Sequence, residues 1–215
     1  MYVYAANNPI KYTDPDGRNT YLIIWATDNN QSGHAAFAVD NYYEDGTPDG
    51  TVTFYELGPD QGIPDNPLKT VDAYFNKKTV FKISLTKKVN LSDYENTKPD
   101  GVIEFFTDIK TDAKIQKKME RFMKIKKYNA VFRNCSNMAR IGVKYSVKGF
   151  KFNHGKEKFL FFSFVTPNKL FNDAKKFPNI ITHVDKKRKT SVQFVDAQIR
   201  PILRAKKNHD NSEIK

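Results

Sequence analysis

Cysteine is almost absent from this chain: among 215 residues there is one, Cys135. A single thiol excludes an internal disulfide framework and any zinc site that needs several thiolates, so stability has to come from packing. Long apolar runs are missing as well. None approaches the roughly 20 residues that span a bilayer, and the first residues show no basic stretch followed by an apolar core of the kind that directs export. Apolar residues make up only 39%, but 17 Phe and 11 Tyr bring a large area per buried side chain, which suits one well-filled domain at this length.

Acidic residues are scarce in the later part of the chain. Residues 1–60 hold two Lys or Arg against nine Asp or Glu, a balance of −7, while residues 61–215 hold 34 against 15, a balance of +19; together these give the net +12. Such a field predicts an acidic partner, whether nucleic acid, anionic lipid or an acidic protein. Most of the cations are Lys, which favours diffuse attraction over bidentate phosphate recognition.

Strand signals are β-branched or aromatic runs bounded by turn residues: 20–27, 34–43, 51–57 after the Asp49-Gly50 turn, and 79–86, where Phe81, Ile83 and Leu85 alternate with Val80, Lys82 and Ser84. Residues 111–126 place Ile115, Met119, Phe122 and Met123 at helical spacing, with Thr111 or Asp112 as the expected N-cap. A second helix is expected from Cys135, capped by Asn134, with Met138, Ala139, Gly142 and Val143 on one face. Thr166-Pro167 announces a third, with Leu170, Phe171 and Ala174 inward. Residues 159–165 read as a buried strand or extended core segment, 191–202 as a further apolar piece, and 206–215 as a disordered polar tail. The sum is an α+β domain, an antiparallel sheet packed against helices, over 19–205.

A thiol at a helix N-terminus is biased toward the thiolate by the helix dipole. A cysteine nucleophile also needs a histidine to exchange protons and a group to orient the imidazole. Of the four histidines, His209 falls in the polar tail and His183 precedes a basic run, so both read as solvated; His154 sits in a loop whose position nothing in the sequence defines. His34 is the choice, because Gly33 before it allows close backbone approach and Ala35, Ala36 and Ala38 leave room beside the ring. Alternation on 51–57 puts Val52, Phe54 and Glu56 on one face, so that Glu56 ends an apolar face beside His34; Asp40 and Tyr55 are alternatives for the orienting role. The backbone N–H of Cys135 is an expected oxyanion donor, with one further donor unnamed.

Residues 1–18 are punctuated by Asn8-Pro9, Asp14-Pro15 and Asp16-Gly17. With Tyr2, Tyr4, Asn7 and Tyr12, this segment resembles the last stretch of the RHS or YD-repeat core of polymorphic toxins, after which a variable toxin tip follows. The resemblance implies delivery into target cells as part of a larger secreted toxin, and an acidic immunity-type protein as a partner in the producing cell. The order Gly33-His34 and its strand, then Tyr55-Glu56-Leu57-Gly58-Pro59, then Asn134-Cys135 resembles the circularly permuted papain-like hydrolases, which include permuted cell-wall peptidases and the lecithin retinol acyltransferase group. That implies Cys135, His34 and Glu56 as catalytic residues, an acylated thiol as intermediate, no cofactor or metal, and an amide or ester carbonyl of a peptide, protein or lipid as substrate. The second histidine of the acyltransferase group has no counterpart here. Alternatives from the charge pattern are a basic nuclease acting on RNA or DNA and a non-catalytic domain that binds anionic membrane; no HNH-like or carboxylate-cluster motif accompanies the former.

Overall fold

The structure is a computed structural model that describes residues 19–26, 33–57, 83–90, 98–124, 133–159 and 162–187. In chain order the elements are β1 (Asn19–Trp25), β2 (His34–Tyr42), β3 (Pro48–Leu57), β4 (Ile83–Asn90), β5 (Gly101–Phe106), α1 (Ile109–Met123), α2 (Cys135–Ser146), β6 (Lys156–Phe159), β7 (Phe162–Val165), α3 (Pro167–Ala174) and β8 (Ile180–Asp185). Six strands form one antiparallel sheet in the order β4-β3-β2-β1-β5-β8, and β6 and β7 form a separate hairpin. The expected α+β class, an antiparallel sheet against helices, is what the chain adopts.

Strict alternation divides the sheet into two buried faces. Leu22, Ile24, Ala35, Phe37, Val39, Tyr55 and Leu57 join Ile115, Met119, Met138, Ala139, Val143, Leu170 and Phe171 of the three helices in the main core. Tyr21, Ile23, Ala36, Ala38, Val52 and Phe54 form a second buried cluster that contains no helix residue. One glycine governs how closely α2 approaches. A Cβ on Gly142 would lie 2.5 Å from the Phe37 ring, so only the bare backbone lets the helix settle on β2.

The helix signals at Asn134 and Thr166 match the caps observed: each side chain accepts the N–H three residues on, Asn137 at 2.8 Å and Lys169 at 3.2 Å, and Pro167 takes the first turn of α3. Helix α1 corrects the expectation. Asp108, not Thr111 or Asp112, is the N-cap, accepting the Thr111 N–H at 2.7 Å, while Asp112 is buried in the first turn and accepts from the Tyr42 hydroxyl. Two strands were not anticipated, β5 and β8, although β5 is interior to the sheet. The stretch read as a strand or extended segment over 159–165 is part of a hairpin, β6 and β7. The strand expected at 79–86 is found at Ile83–Asn90, with 79–82 outside the described residues. Residues 1–18, the apolar piece at 191–202 and the tail at 206–215 also lie outside them.

Candidate active site

Helix α2 begins at Cys135, and three hydrogen bonds of Asn134 set where it begins. Its Oδ1 accepts from the Asn137 N–H and from Asn137 Nδ2 at 3.0 Å, while its Nδ2 donates to the Val165 carbonyl at 3.1 Å. The cap is thereby tied to the end of β7. On the other side, Arg133 stacks on the Phe122 ring at 3.7 Å and donates to the Phe122 carbonyl, anchoring the approach to the helix on the last turn of α1. The thiol at this junction is buried, with Cys135 6% exposed.

His34 opens β2 directly after Gly33, whose φ of 72° is a left-handed conformation suited to glycine. Ala36 is paired with Glu56 across β2 and β3, so His34, two residues back on the same face, is the diagonal neighbour of Glu56. Its Nε2 lies 2.9 Å from Glu56 Oε1. The approach is short but off the N–H axis, making it a close charge pair rather than a straight hydrogen bond. With Nε2 turned to Glu56, the Cys135 thiol is the other group that interacts with the imidazole. Trp25 stands opposite His34 on β1, and the two rings are 5.4 Å apart between centroids with a 37° tilt. The indole limits how far the imidazole can swing.

The electrostatics follow from this arrangement. Burial disfavours the charged form of His34, but the Cys135 sulfur on one side and Glu56 on the other outweigh it and push the imidazole pKa up to about 10. Burial likewise opposes ionisation of Cys135; His34, the Ala35 backbone N–H and the Ser136 hydroxyl act against that, and the net direction is down. The Ser136 Oγ is 3.9 Å from the sulfur. Glu56, half-exposed, is lowered by its contact with His34. These shifts bias the site toward a thiolate beside an imidazolium beside a carboxylate, and the helix N-terminus adds its own positive end to the thiolate side.

The structure therefore brings together Cys135, His34 and Glu56. Asp40 and Tyr55, the alternatives for orienting the imidazole, are elsewhere. Asp40 lies six residues further along β2, roughly 20 Å away, and accepts the Asn19 N–H at 2.9 Å. The Tyr55 side chain is on the opposite face, in the main core. His154 is held firmly: its Nδ1 accepts the Lys151 N–H at 2.9 Å and its ring packs edge-on against Phe150 and Phe177. His183, on β8, is exposed as expected, and its Nε2 faces Glu104 at 2.6 Å. His209 lies outside the described residues. Among the described residues no group of three or more His, Cys, Asp or Glu side chains is positioned to hold a metal ion.

Three contributors escaped the sequence reading. The Ala35 N–H is a backbone donor with no side-chain signature. Ser136 is adjacent to the cysteine but reads as an ordinary first-turn residue. Trp25, the chain's single tryptophan, could have been found by extending the hairpin register of β1 and β2 to its end. Comparison with family models, with curated proteins and with solved structures gave no match.

Proposed function

We propose that this chain is a cysteine hydrolase or acyltransferase, built on the permuted papain-like plan and carried as the toxin tip of an RHS-type protein. The observation that supports it most is the His34 imidazole set between the Cys135 thiol and the Glu56 carboxylate. In this reading the Cys135 thiolate attacks an ester or amide carbonyl and forms the sulfur–carbon bond. The carbonyl π pair moves to oxygen, where the Cys135 N–H at the start of α2 donates to it. As the intermediate collapses, the bond to the leaving oxygen or nitrogen breaks, and that atom takes the proton held by His34. Water or an acceptor nucleophile then gives its proton to His34 as it attacks the thioester, and the thiolate leaves. Glu56 keeps the imidazole turned and stabilises its cationic form.

The substrate in this proposal is a peptide, protein or lipid of a target cell, and an acidic immunity-type protein shields the producer. Production of the chain in a bacterial host should arrest growth. Cys135→Ala should lose that effect, and should lose turnover of an activated ester by on the order of a thousandfold or more, with the circular dichroism unchanged. An acyl adduct on Cys135, read by mass spectrometry after mixing with the ester, is the expected intermediate. A folded Cys135→Ala protein that remains fully toxic refutes the proposal.

A further inference from the structure

From Arg121 to Lys156 the sequence carries ten Lys or Arg and no Asp or Glu. The end of this stretch is the loop 147–155 between α2 and β6, and at its tip Phe152 is 69% exposed. A lone exposed phenyl group is common on protein surfaces. This one differs in how rigidly it is presented. Arg140 of α2 donates from Nε to the His154 carbonyl at 2.7 Å and from Nη2 to the carbonyls of Lys151 and Phe152. The His154 backbone and ring close the same turn onto Lys151, and the ring is wedged against Phe150 and Phe177. The following Gly155 N–H is held by Asp173 at 2.8 Å. The loop is pre-shaped, with little ordering cost left to incur on contact with a partner.

We propose that this loop docks the protein onto an anionic lipid bilayer, with Phe152 entering the headgroup boundary. The Lys156 ammonium sits 3.1 Å from the Phe152 ring centroid and the Arg140 guanidinium 5.4 Å from it. Lys144, Lys148 and Lys151 are exposed around the same tip, and none of the described acidic side chains pairs with Arg140 or Lys156. An apolar wedge ringed by cations matches a surface that is anionic at headgroup level and apolar just beneath. Single-stranded nucleic acid would need a free ring face on which a base can stack. Here cations already crowd the ring, which leaves its edge to insert. Arg140 is five residues from Cys135 along α2, roughly 7.5 Å of helix axis. The docking itself does not depend on the chemistry proposed for Cys135.

The test uses the full chain with vesicles of neutral phosphatidylcholine and of phosphatidylcholine mixed with phosphatidylserine. Binding is expected for the mixed vesicles alone and should weaken as salt is raised. Phe152→Ser should reduce partitioning by roughly tenfold, and Lys148→Gln or Lys151→Gln by roughly fivefold each. In a Cys135→Ser background, an environment-sensitive fluorophore on Phe152→Cys should shift to the blue on binding, while the same label on Glu44→Cys, in the β2–β3 turn, should not. The proposal is overturned if mixed vesicles do not bind, or if binding survives Phe152→Ser with no shift at the 152 label. It is equally overturned if the loop variants abolish binding to single-stranded RNA while leaving vesicle binding intact.

Discussion

At the scale of single residues, the charge on His34 depends on two neighbours acting against its burial. Of the two, the Cys135 sulfur is the stronger influence and Glu56 the weaker. Each makes a separate prediction. In Cys135→Ala the imidazole loses its anionic neighbour and should titrate well below about 10, toward the ordinary histidine range near 6.5. Glu56→Gln should lower it by a smaller amount. Nuclear magnetic resonance titration of the His34 ring protons reads both, and equal values in the wild type and in Cys135→Ala would mean that the thiolate and imidazolium do not interact. The candidate residues that the fold brings together were legible in advance: a single cysteine left one candidate nucleophile, and small residues around His34 separated it from the other three histidines. The isolation of Asp40 and Tyr55 follows from strand geometry as well: the rise per residue carries Asp40 six positions along β2 from His34, and period-two alternation turns Tyr55 to the face opposite Glu56.

At the scale of elements, the site exists because α2 lies close against β2. Gly142 makes that approach possible, since any side chain there would collide with the buried Phe37 ring. Gly142→Val should cost about 1–3 kcal/mol in chemical denaturation, and it should also lift the start of α2 from β2 and so slow acyl transfer more than the stability loss explains. A variant as active and as stable as the wild type would show that the packing is softer than this geometry implies. Helices were easier to anticipate than strands here. The periodic apolar positions of α1, α2 and α3, and the caps at Asn134 and Thr166, are local signals. Strand β5 carries Glu104 within a short apolar run, and β8 mixes Thr182, His183 and Asp185 into its run. Their membership depends on pairing with β1 and with each other, which no short window reveals. The cap of α1 was misplaced because Thr111 and Asp112 are both good capping residues, whereas tertiary contact with Tyr42 draws Asp112 inward.

At the scale of the whole molecule, the sheet's second end contains a buried acidic cluster remote from the thiol. Burial first, and the Asp112 and Glu104 carboxylates second, raise the Asp40 pKa to about 8, despite the Asn19 N–H and the Tyr21 hydroxyl, which favour its anion. A carboxyl whose folded-state pKa is above its unfolded value near 3.9 stabilises the fold fully below that value, and the contribution is lost as pH rises toward 8. Global stability should therefore fall over that interval by an amount on the order of a few kcal/mol. Asp40→Asn, which keeps an acceptor for Asn19, should flatten the decline and be more stable than the wild type above pH 8. Parallel stability profiles for the two proteins would contradict this. The uneven charge of the chain, −7 before residue 61 and +19 after it, could be read from the sequence at once. Which loop concentrates it around an exposed phenyl could not, because Arg140 and the turn it pins are brought together only by the fold.

The proposed chemistry turns on the ionisation of Cys135. Thiolate absorbance in the ultraviolet, followed against pH as the difference between the wild type and Cys135→Ser, measures it directly. The predicted result is half-ionisation well below the ordinary thiol value near 8.5, moving upward in His34→Ala. A thiol that ionises at or above that value, unchanged by the loss of His34, would contradict the central claim.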